Sequence, residues 1–259
     1  MQLPSSWDSI LVDQYIELRE LDSSLGYFDM MLETISIVTD TDIEELEEYS
    51  FSELVDIEKQ LVWLTSEPSK DIAPHFNKAG GRPYKRFKVD VNYKPYYHYI
   101  GLDNLKLGEF IDLNHFFADN FVKNLPTICA ILYRQTKLNE WNETIIEPYE
   151  YDPRNRSGLF MEVGITQVYG IIGSFLEYKS NFENTYANLF KPDLSDEDTS
   201  ELSEEDLKEI EEEERLDAFS WERVILVLCQ DLNVTPDEAL NMSITFVFNM
   251  LSLKKSMEG

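Results

Sequence analysis

Three histidines, two cysteines and fifty carboxylates are the residues of this chain that could ligate a metal, attack a carbonyl or move a proton. Their spacing argues against each use. His75, His98 and His115 lie 23 and 17 residues apart, whereas paired imidazole ligands on one helix stand a single turn apart. His115, beside Phe116 and Phe117, reads as a packed or solvated ring rather than a ligand. Neither Cys129 nor Cys229 has a neighbouring histidine to take its proton, and no Gly-x-Ser-x-Gly turn presents a serine. Phosphate loops set several glycines ahead of a helix, and Ala79-Gly80-Gly81-Arg82 supplies only a turn. Acid pairs are too abundant to be informative, because carboxylate catalysis depends on two groups about 5–10 Å apart in a cleft. Runs such as Glu44–Glu48 and Glu211–Glu214 read as solvated faces. The expectation is a protein that is not an enzyme and uses no cofactor and no metal.

The elements that would position any site must come from 259 residues, 43% hydrophobic and 13% aromatic. That length supports one or two domains and a proper core. With 22 basic against 50 acidic residues the net charge is −28. Such a charge excludes the common nucleic-acid-binding design, a net basic face on phosphates, and disfavours anionic membranes. The longest apolar runs, Ile128–Tyr133 and Val224–Cys229, fall far short of the roughly 20 residues that span a bilayer. Met1–Ile10 lacks the basic start and apolar stretch of a signal peptide. Both cysteines sit inside those apolar runs and read as small core residues in a reducing compartment. An acidic, soluble, intracellular protein is expected.

Helical periodicity dominates the chain. Helices are expected near 12–21, 27–39, 42–49, 52–65, 108–118, 121–134, 154–162, 166–189, 219–231, 235–241 and 245–253, with Leu54, Ile57, Leu61 and Leu64 marking one amphipathic face. Ile128, Ile131, Leu132, Ile171, Phe175 and Trp221 are the expected core. The stretch Lys78–Lys94 holds six basic residues against Asp90, with Tyr84, Phe87 and Tyr93 interleaved. Basic and aromatic residues together can track single-stranded nucleic acid, but the plainer reading is a β-hairpin over 84–100. A second ribbon is expected at 138–151, turning near Asn142 and Glu143. The fold class is mainly α, a helical body with one or two small β-hairpins.

Domain boundaries follow the charge. Between Asp193 and Asp217 fourteen acids face only Lys208 and Arg215, a composition that cannot bury enough apolar surface to order itself. The expected division is a body over 1–191, an acidic linker over 192–217 and a small helical module over 218–259. Within the body Ile10–Leu18 matches Leu105–Leu113, each an extended entry followed by an aromatic–Ile–acid–Leu helical face. A second phrase occurs three times, starting at Tyr49, Val163 and Met242, with Ser52, Thr166 and Thr245 as the expected helix N-caps. Thr235-Pro236-Asp237-Glu238 is a strong helix start, with Thr as N-cap and Pro at the first helical position.

Trp7 after Pro4-Ser5-Ser6, the paired phrases, the run Asn124–Arg134, and Tyr149, Tyr151, Asp152, Pro153 and Arg156 resemble a family of tailed-bacteriophage proteins of tail or baseplate morphogenesis. Trp221, Leu226, Leu228, Leu232, Thr235–Glu238 and Ser243-Ile244 are similar to the distal half of phage tail assembly chaperones. In those proteins an acidic linker joins a helical first part to a small helical second part. The resemblance implies a chaperone that binds tape-measure or tail-tube subunits in the cytoplasm of an infected bacterium. Two other classes remain open: a structural virion component (baseplate, hub or internal head protein), and an enzyme or acidic mimic of nucleic acid. Phage tail proteins are the expected partners, with no nucleic acid and no membrane; homo-oligomerisation is open. The expected contact face carries Trp221, Ile225, Leu228, Phe246 and Phe248.

Overall fold

The computed structural model of the chain describes residues 3–70, 75–76, 97–138, 144–146, 149, 153–190 and 220–258. Helices predominate, in agreement with the mainly α expectation. They form two compact units, one built from Met1–Ile100 and His115–Ser174, the other from Gly101–Asn114 and Phe175–Gly259. This grouping corrects the expected division, because the last helices belong with 101–114 and 175–190 rather than forming a module of their own. The acidic stretch 192–217, the basic segment Lys78–Lys94 and the expected strand 87–93 lie outside the described residues.

The first unit opens with a 3-10 turn at Trp7–Ser9, an extended Ile10-Leu11, and helix α1 (Val12–Glu20). Extended backbone needs partners for its polar groups, and it finds them far along the chain. Val12 N–H donates to Val163 C=O at 2.9 Å, and Ile165 N–H donates to Ile10 C=O at 2.9 Å. These two bonds form an antiparallel bridge centred on Leu11 and Gly164. Ile10, Val12, Val163 and Ile165 are all fully buried around it. Gln14 holds the entry in shape: its Oε1 accepts from Leu11 N–H at 3.1 Å, and its Nε2 donates to Ile37 C=O at 2.7 Å.

The second unit repeats this arrangement. A 3-10 turn at Leu102–Asn104 leads into helix α5 (Leu107–Leu132). Leu107 N–H donates to Met242 C=O at 2.9 Å, and Ile244 N–H donates to Leu105 C=O at 3.0 Å. Glu109 takes the place of Gln14, its Oε2 accepting from Lys106 N–H at 2.8 Å. The two entry phrases that echo in sequence therefore make the same bonds.

After α1 come α2 (Tyr27–Thr39), α3 (Ile43–Leu46) and α4 (Phe51–Gln60). Near the C-terminus α10 (Trp221–Leu232), α11 (Pro236–Leu240) and α12 (Ile244–Glu258) follow the same plan. Asp40 ends α2 at φ 55 and Asn233 ends α10 at φ 54, both left-handed, where Asp and Asn are tolerated better than most side chains. Thr235 caps α11 as expected, with Pro236 at the first position and Glu238 completing the capping box.

The other N-caps lie two residues earlier than expected. Ser50, not Ser52, caps α4, accepting from Glu53 N–H while Glu53 returns to Ser50 N–H at 2.8 Å. Gly164, not Thr166, precedes α7 (Ile165–Val168), and α12 begins at Ile244, so Thr245 is already helical. At the latter two sites the bridge sets the helix start: Gly164 and Ser243 are the bridge residues, and the helix begins at the next position.

Helix α5 is broken at Asn120 (φ −146, ψ 95), as the separate expectations for 108–118 and 121–134 require. Asn120 Oδ1 accepts from Lys123 N–H at 3.1 Å, and Asn124 Nδ2 donates to the stranded Phe116 C=O at 3.2 Å. Pro126 sits in the first turn and a half after the break, close to where a helix tolerates its missing N–H. Four short antiparallel strands, β1 (His75–Phe76), β2 (Tyr97–Tyr99), β3 (Tyr133–Leu138) and β4 (Thr144–Ile146), follow in the order β1-β2-β3-β4. The β3–β4 pairing, Thr136 with Ile146 and Leu138 with Thr144, places a ribbon near the expected 138–151, but its first strand runs over Tyr133–Leu138 and so lies before the expected start. At the first ribbon β2 pairs with β1 and β3.

Helices α6 (Arg154–Ser157), α8 (Gly170–Thr185) and α9 (Ala187–Phe190) complete the set. Ile128, Ile131, Leu132 and Ile171 lie fully buried in the first unit, as does Phe175 in the second, while Trp221 is only partly covered. Cys129 is buried among them, and burial pushes its thiol pKa up, so it is an inert core residue. In the second unit Phe110 meets Phe182 at 5.3 Å and Trp221 at 5.8 Å between ring centres, and Phe182 meets Phe248 at 4.6 Å.

A polar clamp ties three segments of the first unit. Arg19 Nη2 donates to both Glu67 oxygens at 2.9 and 2.8 Å, and Tyr169 donates its hydroxyl to Glu67 Oε2. The Tyr169 hydrogen bond, followed by Arg19, holds the Glu67 carboxyl below its ordinary range, while burial and Glu67 push Tyr169 up. A lowered carboxyl pKa stabilises the fold above the ordinary value of about 4.5, and that stability is lost as pH falls through the lowered value. Both members of the ion pair are well solvated, so the effect is small. Tyr169→Phe should therefore lower the neutral plateau of a Tm-against-pH curve slightly and flatten its acid limb below about pH 4.5.

Because Leu105 and Leu107 pair with Met242 and Ile244, a chain ending at residue 191 should leave its second unit unfolded. Such a truncation should be insoluble or protease-sensitive between 101 and 114; a fully protected, soluble fragment would show that 218–259 is separable after all.

Candidate interaction surface

Where the expected contact face was placed, the structure shows mostly core. Leu228 and Phe248 are fully buried, and Trp221 and Ile225 are partly covered. Trp221 packs edge-on against Phe110 at 5.8 Å and lies 6.2 Å from Phe248. Phe246 alone of the five is open, at 51% exposure. The geometry of a helix explains the split: residues two apart point roughly opposite ways, so Phe246 and Phe248 cannot share a face.

The first unit instead carries an open apolar groove that sequence reading missed. It runs between α2, α4 and a 3-10 turn at Val62–Thr65, and encloses about 520 Å³. Met30, Met31, Ile35, Leu61, Val62 and Leu64 line it, with Tyr27 and Glu58 at its rim. Val62 is 65% exposed and Tyr27 60%. Tyr27 donates its hydroxyl to Glu58, and that bond pushes the Tyr27 pKa up. Lys59, also at the rim, pairs with Asp56 at 2.7 Å. Beyond the groove, Phe28 and Phe51 lie exposed with ring centres 6.2 Å apart.

The sequence did hold a sign of this surface. Tyr27, Phe28, Met30, Met31 and Leu32 surround the first turns of α2 on more than one side, which is more apolar surface than a single core-facing stripe needs. Besides Tyr27, the polar part of the groove's lining is Thr34, Thr65, Glu58 and Lys59. Its chemistry is the exclusion of water from an apolar stripe, and its two unbranched methionines can mould to differently shaped occupants. Its volume lies within the range of binding pockets, and its charged rim would orient a polar back. Among the described residues no group of three or more His, Cys, Asp or Glu is placed to hold a metal ion, and no helix is long and apolar enough to cross a membrane. His115 is exposed and meets Phe116 edge-on at 5.3 Å.

If the groove is the working surface, an environment-sensitive dye such as bis-ANS should bind to the native protein at neutral pH, and Val62→Glu should remove most of the signal. Because Val62 is solvent-facing, the unfolding free energy should change by no more than a surface substitution usually does, about 0.5 kcal/mol. No family model, curated protein or solved structure matches this chain.

Proposed function

We propose that this protein is a non-enzymatic morphogenesis factor of a tailed bacteriophage, a chaperone that holds apolar helices of tape-measure or tail-tube subunits until they assemble. The observation that supports this reading is the open groove of about 520 Å³ between α2 and α4, on a chain of net charge −28. A chaperone for apolar helices needs an apolar channel, and helix-in-groove capture supplies the mode. It also needs an exterior that repels its own copies, so that loaded complexes do not coalesce, and the charge supplies that. The motif resemblance of Trp7, Asn124–Arg134 and Thr235–Glu238 narrows the client to phage tail components.

Co-expression with a tape-measure protein of the same phage tests the proposal. The parent chain should keep the client soluble, and Met30→Glu with Val62→Glu should let it precipitate while the variant itself stays folded. Purified particles should lack the protein. Its presence there at fixed copy number would instead make it a structural component of the baseplate, hub or head interior.

A further inference from the structure

The helix-start phrase occurs three times, yet the entry phrase occurs only twice. At the first copy Tyr49 N–H donates to Leu46 C=O at 3.1 Å, matching Val163 to Phe160 at 3.2 Å and Met242 to Ala239 at 3.1 Å. Leu54, Val168 and Val247 are fully buried at one equivalent position, and Ile57 and Ile171 are buried at the next. The three copies thus share one local fold, in which Ser50, Gly164 and Ser243 stand at the turn.

Their edges differ. At the second copy the edge is paired to Ile10-Leu11-Val12, and at the third to Leu105-Lys106-Leu107. At the first copy no described residue donates to Tyr49 C=O or accepts from Phe51 N–H, the two groups that make the bridge elsewhere. The Ser50–Glu53 capping box uses the Ser50 N–H, which points away from the bridge in the other copies, so it leaves the edge open. Where Ile165 and Ile244 are fully buried, Phe51 is 58% exposed. The residue at the head of the preceding helix follows suit. Trp221 packs on Phe110 of the entry helix, whereas its counterpart Phe28 is 42% exposed and lies 6.2 Å from the exposed Phe51 ring.

We propose that the Tyr49–Phe51 edge, with Phe28 beside it, is a vacant docking slot for an entry-type segment supplied by another protein. The two filled slots define the occupant. It is an aliphatic–x–aliphatic stretch in extended form, adding two backbone hydrogen bonds, followed by a helix that sets an aromatic ring three residues on over Phe28, as Leu107 is followed by Phe110. Such strand addition draws affinity from main-chain bonds and specificity from the alternate side chains. Glu44, Glu45, Glu47 and Glu48 crowd exposed around the slot, so the segment carries basic residues, in the manner of Lys106 opposite Ser243. A second copy of this chain is not the occupant. Each chain shows three slots and two entry segments among its described residues, so exchange between copies moves the vacancy without filling it. This inference rests on the internal repeat alone and stands apart from the chaperone proposal.

The test uses full-length protein and a fluorescein-labelled peptide of its own residues 101–115 carrying Asp103→Lys and Asp112→Lys, which turns three acids against Lys106 into three lysines against Glu109 and so suits the acidic rim, read by fluorescence anisotropy. The peptide should bind saturably, one per chain, and a scrambled peptide should not. Phe51→Pro keeps a residue that suits the first helical position but deletes the N–H donor; it should weaken binding about tenfold, the loss expected for one backbone hydrogen bond. Phe51→Ile, the residue of both filled slots, should bind as the parent does. No saturable binding, or equal binding to the parent and Phe51→Pro, would overturn the proposal. So would a parent that dimerises in sedimentation while Phe51→Pro stays monomeric, since the slot would then belong to a second copy.

Discussion

A bridge of two backbone hydrogen bonds is the constraint on which each unit is built. An extended entry of three residues cannot stand alone in an apolar interior, because each unpaired N–H or C=O left there costs about 1–3 kcal/mol. Pairing Ile10 and Val12 with Val163 and Ile165 removes that cost and brings a helix away from each side of the bridge. The aliphatic side chains flanking the bonds are then buried by the helices that the bridge has placed. Gln14 and Glu109 serve the same end. Each is a polar side chain at 6% and 1% exposure, tolerable because it accepts the N–H of the middle residue of its own entry, Leu11 or Lys106. Remove the bridge and both helix starts lose their register together.

That constraint explains what could be read from the residues and what could not. Helices α1, α2 and α10 are legible because their apolar spacing is local, and α11 because Thr235, Pro236 and Glu238 make a complete cap within four positions. The break at Asn120 is legible as a gap between two periodic stretches. Caps at 50, 164 and 243 were not, since Ser52, Thr166 and Thr245 are better capping residues by type than Gly164. At 164 and 243 propensity yields to a bond from a residue about 135 to 155 positions away, and at 50 to the reciprocal bonds of the Ser50–Glu53 box. The units were hidden for a stronger reason. The first entry skips the nearest helix-start copy and pairs with the second, and the next entry pairs with the third. Composition marks the acidic stretch as a boundary, yet the segments on its two sides, 175–190 and 220–258, belong to one unit.

The contact face illustrates a related limit. Aromatic and aliphatic residues close to the C-terminus resemble a binding stripe, but periodicity cannot say whether a stripe meets the core or a partner. Trp221 and Phe248 meet Phe110 and Phe182, which come from sequence far upstream. In the first unit the residues equivalent to part of that cluster have no such covering, and the result is an exposed Phe28 and Phe51 beside an open groove. The same helical plan therefore yields a closed core in one unit and an open surface in the other, according to whether an entry segment lies on it.

Open apolar surface is a hazard for any protein, because two copies can bury it against each other. This chain sets a long-range repulsion against a short-range attraction. At physiological salt the Debye length is about 8 Å, so the repulsion acts on approach and weakens nothing once a complementary surface is in contact. A partner that brings basic residues meets no such barrier, and its approach is accelerated by the field that keeps like copies apart. The groove itself is held by α2 and α4, whose inward residues Ile35, Leu54 and Ile57 are buried in the unit; the surface is formed before anything binds. Binding then costs little rearrangement of this chain, and the ordering cost falls mainly on the incoming segment. Selectivity follows from the same division: the charge excludes acidic competitors at a distance, and the apolar lining accepts a range of aliphatic shapes at contact.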